Sequence, residues 1–556
     1  MRHGGQILID QLALNGIRHV FCVPGESYLA ALDGLYQSNS IETIICRQEG
    51  GAAMMAEAYA KMTNMPGICF CTRGPGATNA SAGVHVAMQD SSPMILFVGQ
   101  VAGSMAEREA FQEIDYRRMY GDMAKWIGQI DSIERIPEYV SHAFHTAMTG
   151  RPGPVVLALP EDMLSSYAEV EDARPALPAQ AKISDEDIKA LEGHLRQSNT
   201  PLMIVGGPAW SSDAQAQLMA FAERVNIPVA AAFRYQDYMD NRHPNYVGDV
   251  GIAIDPKLAK RVRETDLLIA FGPRLGEMTT SGYSLIDIPS PKQKLIHIHP
   301  GAEELGRVYR ADMSINASLR SVAANLDKIT GLNPDKWSDW TREARADYEA
   351  FCVPLETPGD VKFEQIVTHV SNLVDDDAII TNGAGNYAGF VRKYHQYRHY
   401  RTQLAPTSGS MGYALPSAIA GKIAKPDVRV ICFTGDGDFM MTCQELATAV
   451  QYNVAIIIIL ANNGTYGTIR MHQEREYPDR VSGTQLNNPD FAAMAISFGA
   501  HGETVRKTEE FEVAFERALA SNKPALIDCL IEADAITPQI TLTKITEMAK
   551  KTTKCF

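Results

Sequence analysis

Long apolar runs are what this sequence lacks most clearly. The longest covers residues 454–461, whereas a helix that spans a bilayer needs about 20 apolar residues. The first residues, from Met1 to Gly5, form no apolar signal core. We therefore expect a cytoplasmic protein that is not anchored in a membrane.

Paired cysteines are also missing. No Cys-x-x-Cys pair occurs among the nine cysteines, and six of them lie in apolar stretches, at Cys22, Cys46, Cys69, Cys71, Cys432 and Cys529. This usage is typical of buried thiols in a reducing compartment and not of a disulfide framework.

Two further deficits exclude classes of function. The formal net charge of -15 argues against a nucleic-acid partner, because the chain would repel its phosphates. The complete Gly-x-Gly-x-x-Gly turn of a NAD-dependent dehydrogenase is absent as well, since Gly74-x-Gly76 has no third glycine. An anionic cofactor must therefore be held locally, by a metal ion or by backbone dipoles.

The composition of 45% hydrophobic and 21% charged residues is ordinary for a soluble protein with several cores. Apolar, β-branched segments alternate with helical patterns, which predicts an α/β fold of three doubly wound parallel-sheet domains. Proline-containing linkers place the domains at 1–170, 184–350 and 360–556. The predicted strands are 19–23, 43–46, 68–71, 94–98, 155–159, 202–205, 229–232, 267–271, 295–299, 428–434 and 454–461.

A strand, turn, helix and strand pattern surrounds Asp436. The strand at 428–434 runs into Gly435-Asp436-Gly437-Asp438, and the run at 454–461 ends in Asn462-Asn463. A right-handed βαβ unit brings both turns to one edge of a parallel sheet, at the carboxyl ends of strands, where open α/β sheets bind ligands.

Asp436, Asn463 and the backbone carbonyl of Thr465 would together offer three hard oxygens. Such a set suits Mg²⁺, which completes its shell with water and phosphate oxygens. The flanking glycines allow backbone N–H groups to approach a phosphate. The alternative is that both segments are ordinary turns between strands.

Gly435-Asp436-Gly437 followed by Asn462-Asn463 resembles the cofactor signature of the thiamine-diphosphate-dependent enzymes. In that family the aspartate, the second asparagine and the carbonyl two residues later hold magnesium, which binds the diphosphate. The resemblance therefore implies Asp436, Asn463 and Thr465 as metal ligands, and thiamine diphosphate and Mg²⁺ as cofactors. It also implies that the three domains are pyrimidine-binding, central and diphosphate-binding, in chain order.

Glu49 follows a buried strand and begins a helix of small residues. An acidic residue in the first helical turn is favoured by the helix dipole anyway, so a capping role is one interpretation. The segment from Arg47 to Ala52 resembles the Arg-x-Glu-x-x-Ala segment of the acetolactate synthase type. There the glutamate bonds a ring nitrogen of the aminopyrimidine and prepares the cofactor to attack a 2-oxo acid.

Further cofactor contacts are implied by the same resemblance. The Gly409 carbonyl would accept from the amino group, and Met411 would prop the cofactor into a bent shape, unless it is plain core packing. The segment from Thr381 to Tyr387 would place backbone N–H groups against the diphosphate, although it departs from the usual Gln-His pair. The full predicted cofactor-binding set is Gly25, Gly385, Asn386, Tyr387, Gly409, Met411, Gly435, Asp436, Gly437, Asp438, Asn463, Thr465, Tyr466 and Gly467.

Two segments of the first domain resemble the acetolactate synthase large subunit. They are Thr72-Arg73-Gly74-Pro75-Gly76-Ala77-Thr78-Asn79 and Ala110-Phe111-Gln112-Glu113. In that family the Phe-Gln pair lies near the reacting carbon, which implies Gln112 as a second catalytic residue. Arg73 replaces the usual serine and is either an anion contact or a solvated surface residue.

Other positions depart from that branch. His472 stands where acetolactate synthases carry the tryptophan that shapes the acceptor pocket, and the absence of an adjacent His-His pair weakens a simple pyruvate decarboxylase interpretation. Gly206-Gly207 and the segment 271–274 resemble the flavin-binding domain, yet Leu275-Gly276 replaces the expected acidic residues, so FAD is an open alternative. His297 and His299 share one face of a strand and suggest a metal, although without a third ligand nearby a structural or nucleotide-facing role is favoured.

These features predict a thiamine-diphosphate-dependent carboligase. It would decarboxylate a 2-oxo acid, pyruvate being the expected donor, and transfer the two-carbon unit to a second carbonyl. The alternatives are another lyase or decarboxylase of the same superfamily, acting on an acyl-CoA or sulfonate substrate, and a cofactor-binding relative with a regulatory or scaffolding role. The resemblance also implies a homodimer or homotetramer, a regulatory subunit and a place in branched-chain amino acid biosynthesis.

Overall fold

Three six-stranded parallel sheets organise the chain. The structure is a computed structural model that describes residues 1–553, so the last three residues of the predicted tail lie outside the described residues. The predicted α/β class with three doubly wound parallel-sheet domains is confirmed. A small antiparallel pair, β1 with β8, is added to the first domain.

The first sheet has the strand order β3-β2-β4-β5-β7-β6. Its strands and the small pair are β1 Arg2–His3, β2 His19–Cys22, β3 Glu42–Ile45, β4 Gly67–Cys71, β5 Met94–Gln100, β6 Trp126–Gln129, β7 Pro154–Pro160 and β8 Tyr167–Ala168. The helices are α1 Gly4–Leu14, α2 Leu29–Gln37, α3 Glu49–Thr63, α4 Pro75–Asp90, α5 Tyr116–Met119, α6 Ile136–Met148 and α7 Glu161–Ser165.

The central sheet has the order β11-β10-β9-β12-β13-β14, so the chain reverses its direction of winding between β9 and β12. Its strands are β9 Pro201–Val205, β10 Val229–Ala231, β11 Tyr246–Asp249, β12 Leu267–Phe271, β13 Lys294–His299 and β14 Met313–Asn316. The helices are α8 Asp185–Gln197, α9 Ser212–Val225, α10 Pro256–Glu264, α11 Leu319–Ala323 and α12 Ser338–Phe351.

The third sheet has the order β16-β15-β17-β18-β20-β19. Its strands are β15 Ile379–Asn382, β16 Gln403–Leu404, β17 Val430–Gly435, β18 Ile457–Asn462, β19 His501–Val505 and β20 Ala525–Leu530. The helices are α13 Phe363–Leu373, α14 Tyr387–Tyr394, α15 Ala414–Ala424, α16 Asp436–Phe439, α17 Leu446–Gln451, α18 Gly467–Glu476, α19 Phe491–Ser497, α20 Phe511–Ala520 and α21 Leu542–Thr553.

The chain folds into two compact units. The first comprises Met1–Ala179 together with Ile419–Pro426 and Thr442–Val454. The second comprises Gln180–Ala418, Asp427–Met441 and the described chain from Ala455 onward, so it holds the central and third sheets. Helix α17 therefore belongs to the first unit, although it lies between two strands of the third sheet in sequence.

Apolar cores cover both faces of the central sheet. Along β9, Met203 and Val205 belong to one hydrophobic cluster, and Leu202 and Ile204 belong to another. This division follows from the two-residue repeat of a strand, and burial on both faces explains why parallel strands are continuous apolar runs. The six cysteines expected to be buried are all buried free thiols.

No helix within residues 1–553 is both long and apolar enough to cross a membrane.

The predicted strands are present, but the predicted list omits β1, β6, β8, β11, β14, β15, β16, β19 and β20. Of these, β6, β11, β14, β16 and β19 lie at an edge of a six-stranded sheet, whereas β15 and β20 are inner strands. An edge strand pairs on one side only and tolerates exposed polar positions, as in β14, where Ser314 and Asn316 are exposed. Such strands lack the apolar run by which the inner strands are recognised.

Candidate active site

The Asp436 carboxylate marks the carboxyl edge of the third sheet. Strand β17 ends at Gly435, and Asp436, only 3% exposed, begins α16. One of its oxygens accepts from the Gly437 backbone N–H at 2.9 Å, and the other accepts from the Gly464 N–H at 2.9 Å. Since Gly464 directly follows Asn463, the two loops predicted to meet do so at Asp436.

The flanking glycines leave room for two tyrosine rings. A Cβ at Gly435 would lie 3.0 Å from Cδ1 of Tyr387, and one at Gly437 would lie 2.6 Å from Cε1 of Tyr466. Any other residue would displace a ring that belongs to the predicted cofactor-binding set. The glycines thus serve internal packing in addition to the phosphate approach expected from the sequence.

The residues at this edge fit a divalent cation. Burial raises the pKa of Asp436, and its carboxylate is balanced only by neutral N–H donors, with no lysine or arginine within ion-pairing distance among the described residues. Burial likewise raises the pKa of Asp528 to about 6, and the charge of Asp436 contributes to that rise. Uncompensated carboxylates in a buried site favour a cation.

Asn463 lies in the loop that contacts Asp436. Its amide oxygen accepts from the Thr465 N–H at 3.2 Å and retains a second lone pair for a ligand. In the described chain no group of three His, Cys, Asp or Glu side chains is arranged to hold a metal. A cation here would therefore rely on one carboxylate and neutral oxygens, which is the set that the sequence predicted.

Asn488 is a site residue that sequence reasoning missed. Its side-chain N–H₂ donates to Asp436 at 2.7 Å and to the Asn462 amide oxygen at 2.9 Å. It therefore ties the Gly-Asp-Gly turn to the asparagine doublet. No local signal marks it, because Asn487-Asn488-Pro489 resembles any polar turn.

Asp438 connects three predicted cofactor-binding segments. Its buried carboxylate accepts from the Tyr387 hydroxyl at 2.5 Å, the Gly412 N–H at 2.5 Å and the Thr434 hydroxyl at 3.0 Å. Burial raises its pKa to about 6 despite these donors. Asp438 thus fixes the segment around Met411 and the segment before α14 relative to the Gly-Asp-Gly turn.

The remaining predicted contacts of the second unit surround this edge. Asn386 accepts from the Thr468 hydroxyl at 3.0 Å and so joins α14 to α18. Gly409 has a φ of +66° with no atom near its Cβ position, and Met411 is half-buried, which leaves part of its side chain accessible. Gly467 begins α18, on which His472 is exposed.

Glu49 begins α3 in the first unit and is 8% exposed. One carboxylate oxygen accepts from the Asn79 side chain at 3.0 Å, and the other lies 3.1 Å from the Cβ position of Gly76. The helix is capped by Gln48, whose side chain accepts from the Gly51 N–H at 3.0 Å. Gln48 thus supplies the side-chain cap, and Glu49 is the acidic residue of the first turn, where the helix dipole also favours it.

Glu445 is a second residue that sequence reasoning missed. It is fully buried in the first unit, and its carboxylate accepts from the backbone N–H groups of Arg47 and Gln48 at 3.1 and 2.9 Å and from the Thr448 hydroxyl at 2.7 Å. Burial raises the pKa of Glu445. It holds the two residues that immediately precede Glu49.

Gln112 is half-buried and has a φ of +65°, in the left-handed region that few non-glycine residues adopt. Its carbonyl oxygen lies 2.8 Å from the Cβ position of Gly74, so only glycine fits there. The turn is held by Glu113, which accepts from the N–H groups of Glu107 and Ala110. Phe111 is 72% exposed beside it.

Arg73 was expected to be either an anion contact or a solvated surface residue, and the structure shows neither. It is 8% exposed, and its guanidinium pairs with Glu26 at 3.0 Å and Glu161 at 3.1 Å. Because two carboxylates already balance its charge, it is neither a solvated residue nor a cation available to an anion. Gly25, another predicted contact, packs against Thr72, whose Cβ lies 2.5 Å from the Cβ position of this glycine.

The histidines of the central sheet have structural partners. His297 is buried and its ring nitrogen donates to the Pro273 carbonyl at 2.9 Å, while burial lowers its pKa and keeps it neutral. His299 contacts Gly301. The structural interpretation of this pair is therefore favoured over a metal site.

Comparison with known proteins matches most of the chain. Three family descriptions apply: "Thiamine pyrophosphate enzyme, N-terminal TPP binding domain" to residues 2–119, "central domain" to 188–326 and "C-terminal TPP binding domain" to 383–529. The probable acetolactate synthase large subunit of Methanocaldococcus jannaschii is 31% identical over 97% of this chain and 93% of its own length. The chain belongs to the thiamine-diphosphate-dependent enzymes, in the acetolactate synthase-like branch.

Two further relatives are also acetolactate synthase large subunits. The acetolactate synthase large subunit of Corynebacterium glutamicum is 32% identical over 96% of this chain and 87% of its own length. The isozyme 2 large subunit of Escherichia coli is 28% identical over 95% and 96%. This thiamine-diphosphate-dependent enzyme thus matches most of the length of these relatives, and thiamine diphosphate is its cofactor.

Proposed function

We propose that this chain is a magnesium-requiring carboligase that decarboxylates a 2-oxo acid and transfers the resulting two-carbon unit to a second carbonyl. Pyruvate is the proposed donor. The observation that supports this reaction is the near-complete overlap with proteins named acetolactate synthase large subunit, at 31 and 32% identity. The product would be an acetolactate-type hydroxy-oxo acid.

In this proposal Glu49 is the proton-holding group. When bound, thiamine diphosphate supplies the electron sink for decarboxylation. The Glu49 carboxyl would bond the pyrimidine ring of the cofactor, with Asn79 orienting it through the 3.0 Å hydrogen bond. Gln112 would contact the substrate, because its strained turn places it beside Gly74.

The metal site is assigned to Asp436, Asn463 and the Thr465 carbonyl, with Mg²⁺ the proposed ion. The cofactor contacts proposed around it are the residues of the third domain named above, with Asp438 and Asn488 as supports. The domain boundaries 1–170, 184–350 and 360–556 are likewise proposed.

A flavin is the second cofactor that the resemblance implies, and the residues fit it only in part. Gly206 and Gly272 follow β9 and β12, where the winding reverses and dinucleotides bind in such sheets. The Arg274 guanidinium, however, lies 3.6 Å from the buried Glu304 carboxylate, which also pairs with Arg307 at 3.1 Å. Arg274 therefore has a carboxylate partner already, and Leu275-Gly276 replaces the expected acidic residues, so a flavin stays an open alternative. The proposed reaction assigns FAD no step, because carboligation involves no net redox change.

The relatives are called large subunits, and we propose a regulatory subunit and a homodimer or homotetramer for this chain as well. Each active site would then combine the first domain of one subunit with the third domain of another. Light scattering of the active enzyme tests this, because full activity from a monomer would contradict it.

The reaction is tested by incubating the protein with pyruvate, thiamine diphosphate and Mg²⁺ and identifying the products. Acetolactate supports the carboligase. Acetaldehyde alone would show a decarboxylase, and no carbon dioxide release from pyruvate would show another donor.

One observation favours a different acceptor. His472, in place of the pocket tryptophan, is exposed on α18 and brings a polar ring to that position. A second candidate is therefore a lyase of the same superfamily that acts on an acyl-CoA or sulfonate. Product analysis with those substrates would distinguish it.

A further inference from the structure

Arg234 connects the carboxyl edges of the central and third sheets. It lies in the turn after β10, with a φ of +68°, and its guanidinium donates to the Gly383 carbonyl at 3.3 Å. Gly383 follows β15 and begins the segment that leads to Asn386 and Tyr387. A side chain of the central domain thus reaches the predicted diphosphate segment of the same unit.

The guanidinium of Arg234 has no acidic partner. Among the described residues no carboxylate oxygen lies within ion-pairing distance of it, and its Nε is buried without a hydrogen-bond partner. A guanidinium carries five N–H donors, and the Gly383 carbonyl satisfies one. Arg234 is half-buried, and burial lowers its pKa.

The acidic and phenolic groups that act on Arg234 do not pair with it. Asp249 acts on it at longer range, but Asp249 is paired with Arg392 at 2.9 Å. Tyr387 and Tyr397 are the other groups that act on it, and burial keeps both hydroxyls neutral by raising their pKa. The acidic partner nearest in charge terms is thus already engaged by Arg392, and the free N–H donors of Arg234 favour an anionic acceptor.

The turn that carries Arg234 is fixed to the third domain. Gln236 donates to the Arg392 carbonyl at 2.9 Å, and Asp237 accepts from the N–H groups of Thr402 and Gln403. The backbone that carries Arg234 is therefore anchored on the third domain, and the Gly383 carbonyl contact directs its guanidinium to the predicted diphosphate segment.

We propose that Arg234 is a diphosphate contact, donating from the central domain to the cofactor phosphates bound beside Gly383. Arginine forms paired hydrogen bonds with phosphate oxygens. The assignment rests on the cofactor site proposed above and does not depend on which 2-oxo acid reacts.

The test measures binding of inorganic pyrophosphate with Mg²⁺, and of thiamine diphosphate, by titration calorimetry. Arg234→Ala should raise both dissociation constants about tenfold or more, since a hydrogen bond to a charged group is lost. Arg234→Gln keeps most of the side-chain length without the charge. It should raise both dissociation constants in the same way, and it replaces the alanine variant if that variant does not fold. Arg234→Lys should bind more tightly than either.

Arg242→Ala is the matched control. Arg242 follows in the same loop, but Asp240 and Asp376 already pair with it on the surface. Its replacement should therefore leave the dissociation constants of pyrophosphate and thiamine diphosphate unchanged. The ligand-free melting temperature of Arg234→Ala should not fall, because a half-buried charge without an acidic partner is removed. A fall would indicate a structural role and overturn the proposal.

Two other outcomes would overturn it. If pyrophosphate binds the variant as tightly as the wild type while the KM for the 2-oxo acid rises, Arg234 contacts the substrate carboxylate instead. If the wild type itself does not bind pyrophosphate with Mg²⁺, the cofactor site is wrongly placed, and this result is distinguishable from a failure that concerns Arg234 alone.

Discussion

The Asp436 carboxylate accepts a hydrogen bond at 2.9 Å from the backbone N–H of Gly464, 28 residues further along the chain. The pairing of β17 with β18, in register from Ile431 with Ile457 to Gly435 with Ala461, brings the two turns together. The oxygen that accepts this bond also accepts from Asn488. One buried carboxylate therefore organises both loops and faces the proposed metal position.

Asp436→Ala should abolish Mg²⁺-dependent cofactor binding. The variant loses the only carboxylate of the proposed ligand set, so the dissociation constant of thiamine diphosphate should rise at least about 100-fold, as for loss of a buried charged contact of about 3 kcal/mol. Calorimetric titration with and without Mg²⁺ measures this. Chelation of Mg²⁺ from the wild type should have the same effect.

The control for Asp436→Ala is Asp479→Asn, because Asp479 is exposed and pairs with Lys550 on the surface. It should bind the cofactor as the wild type does. Undiminished binding by Asp436→Ala would remove the basis of the metal assignment.

The sequence predicted the loops around Asp436 because they follow inner strands. Apolar β-branched runs such as 454–461 indicate buried strands, and parallel pairing then dictates that their carboxyl ends share an edge. The supports of the site were not predictable in this way. Asn488 lies in a polar turn far along the chain, and it reaches Asp436 only through the tertiary fold.

Glu445 was missed for a related physical reason. A glutamate at the start of a helix is explained by the helix dipole alone, so its sequence position gives no reason to place it beside Arg47 and Gln48. The edge strands β6 and β14 were missed because half-exposed strands have no distinctive apolar pattern. That reason does not apply to β11 or to the inner strand β20, which are buried. Arg73 was misjudged because neither Glu26 nor Glu161 is near it in sequence.

Glu49→Gln should stop turnover without preventing cofactor binding. Glutamine retains the size and can still meet Asn79, but it cannot exchange a proton, and general acid–base groups contribute about 10²–10⁴-fold. We expect kcat for pyruvate consumption to fall by at least about 100-fold while the dissociation constant of thiamine diphosphate changes little.

The exposed residue Glu512 supplies the comparison for that experiment, since Glu512→Gln should retain full turnover. A Glu49→Gln variant with wild-type kcat would show that the carboxyl group is not the proton-holding residue.

Glu445→Gln should lower kcat without changing which 2-oxo acid the enzyme decarboxylates. One carboxylate oxygen accepts from the backbone N–H groups of both Arg47 and Gln48, and the other accepts from the Thr448 hydroxyl and the Arg47 N–H. In the amide one of these oxygens becomes an N–H₂ group, which cannot accept from those donors. Small displacements of Glu49 should reduce kcat about tenfold, in the range of one lost charge-assisted hydrogen bond. Steady-state kinetics should show the loss in kcat, with little change in KM.

A structural role of Glu445 alone would lower the melting temperature and leave the kcat of the folded fraction intact. Measuring active-site concentration by bound cofactor separates the two effects. Unchanged kcat per bound cofactor would contradict the positioning role.

The raised pKa of Asp438 should make the stability of the cofactor-free protein depend on pH. Its folded pKa of about 6 lies above the usual value for aspartate, so the folded state holds the proton more tightly than the unfolded chain. The stabilisation is then complete below about pH 4 and is lost as pH rises through about 6. Asp528 and Asp237, with pKa values of about 6 and about 7, act with the same sign.

Asp438→Asn removes the Asp438 contribution, which amounts to at most about 3 kcal/mol for a shift of about two pKa units. The urea midpoint of the wild type should therefore fall more between about pH 4.5 and about pH 7.5 than that of the variant. Asp479→Asn should retain the wild-type slope, because that carboxyl is exposed. A variant whose midpoint varies with pH as steeply as the wild type would show that Asp438 ionises in the folded protein without cost, and its hydrogen bonds from Tyr387, Gly412 and Thr434 would then suffice to stabilise the buried charge.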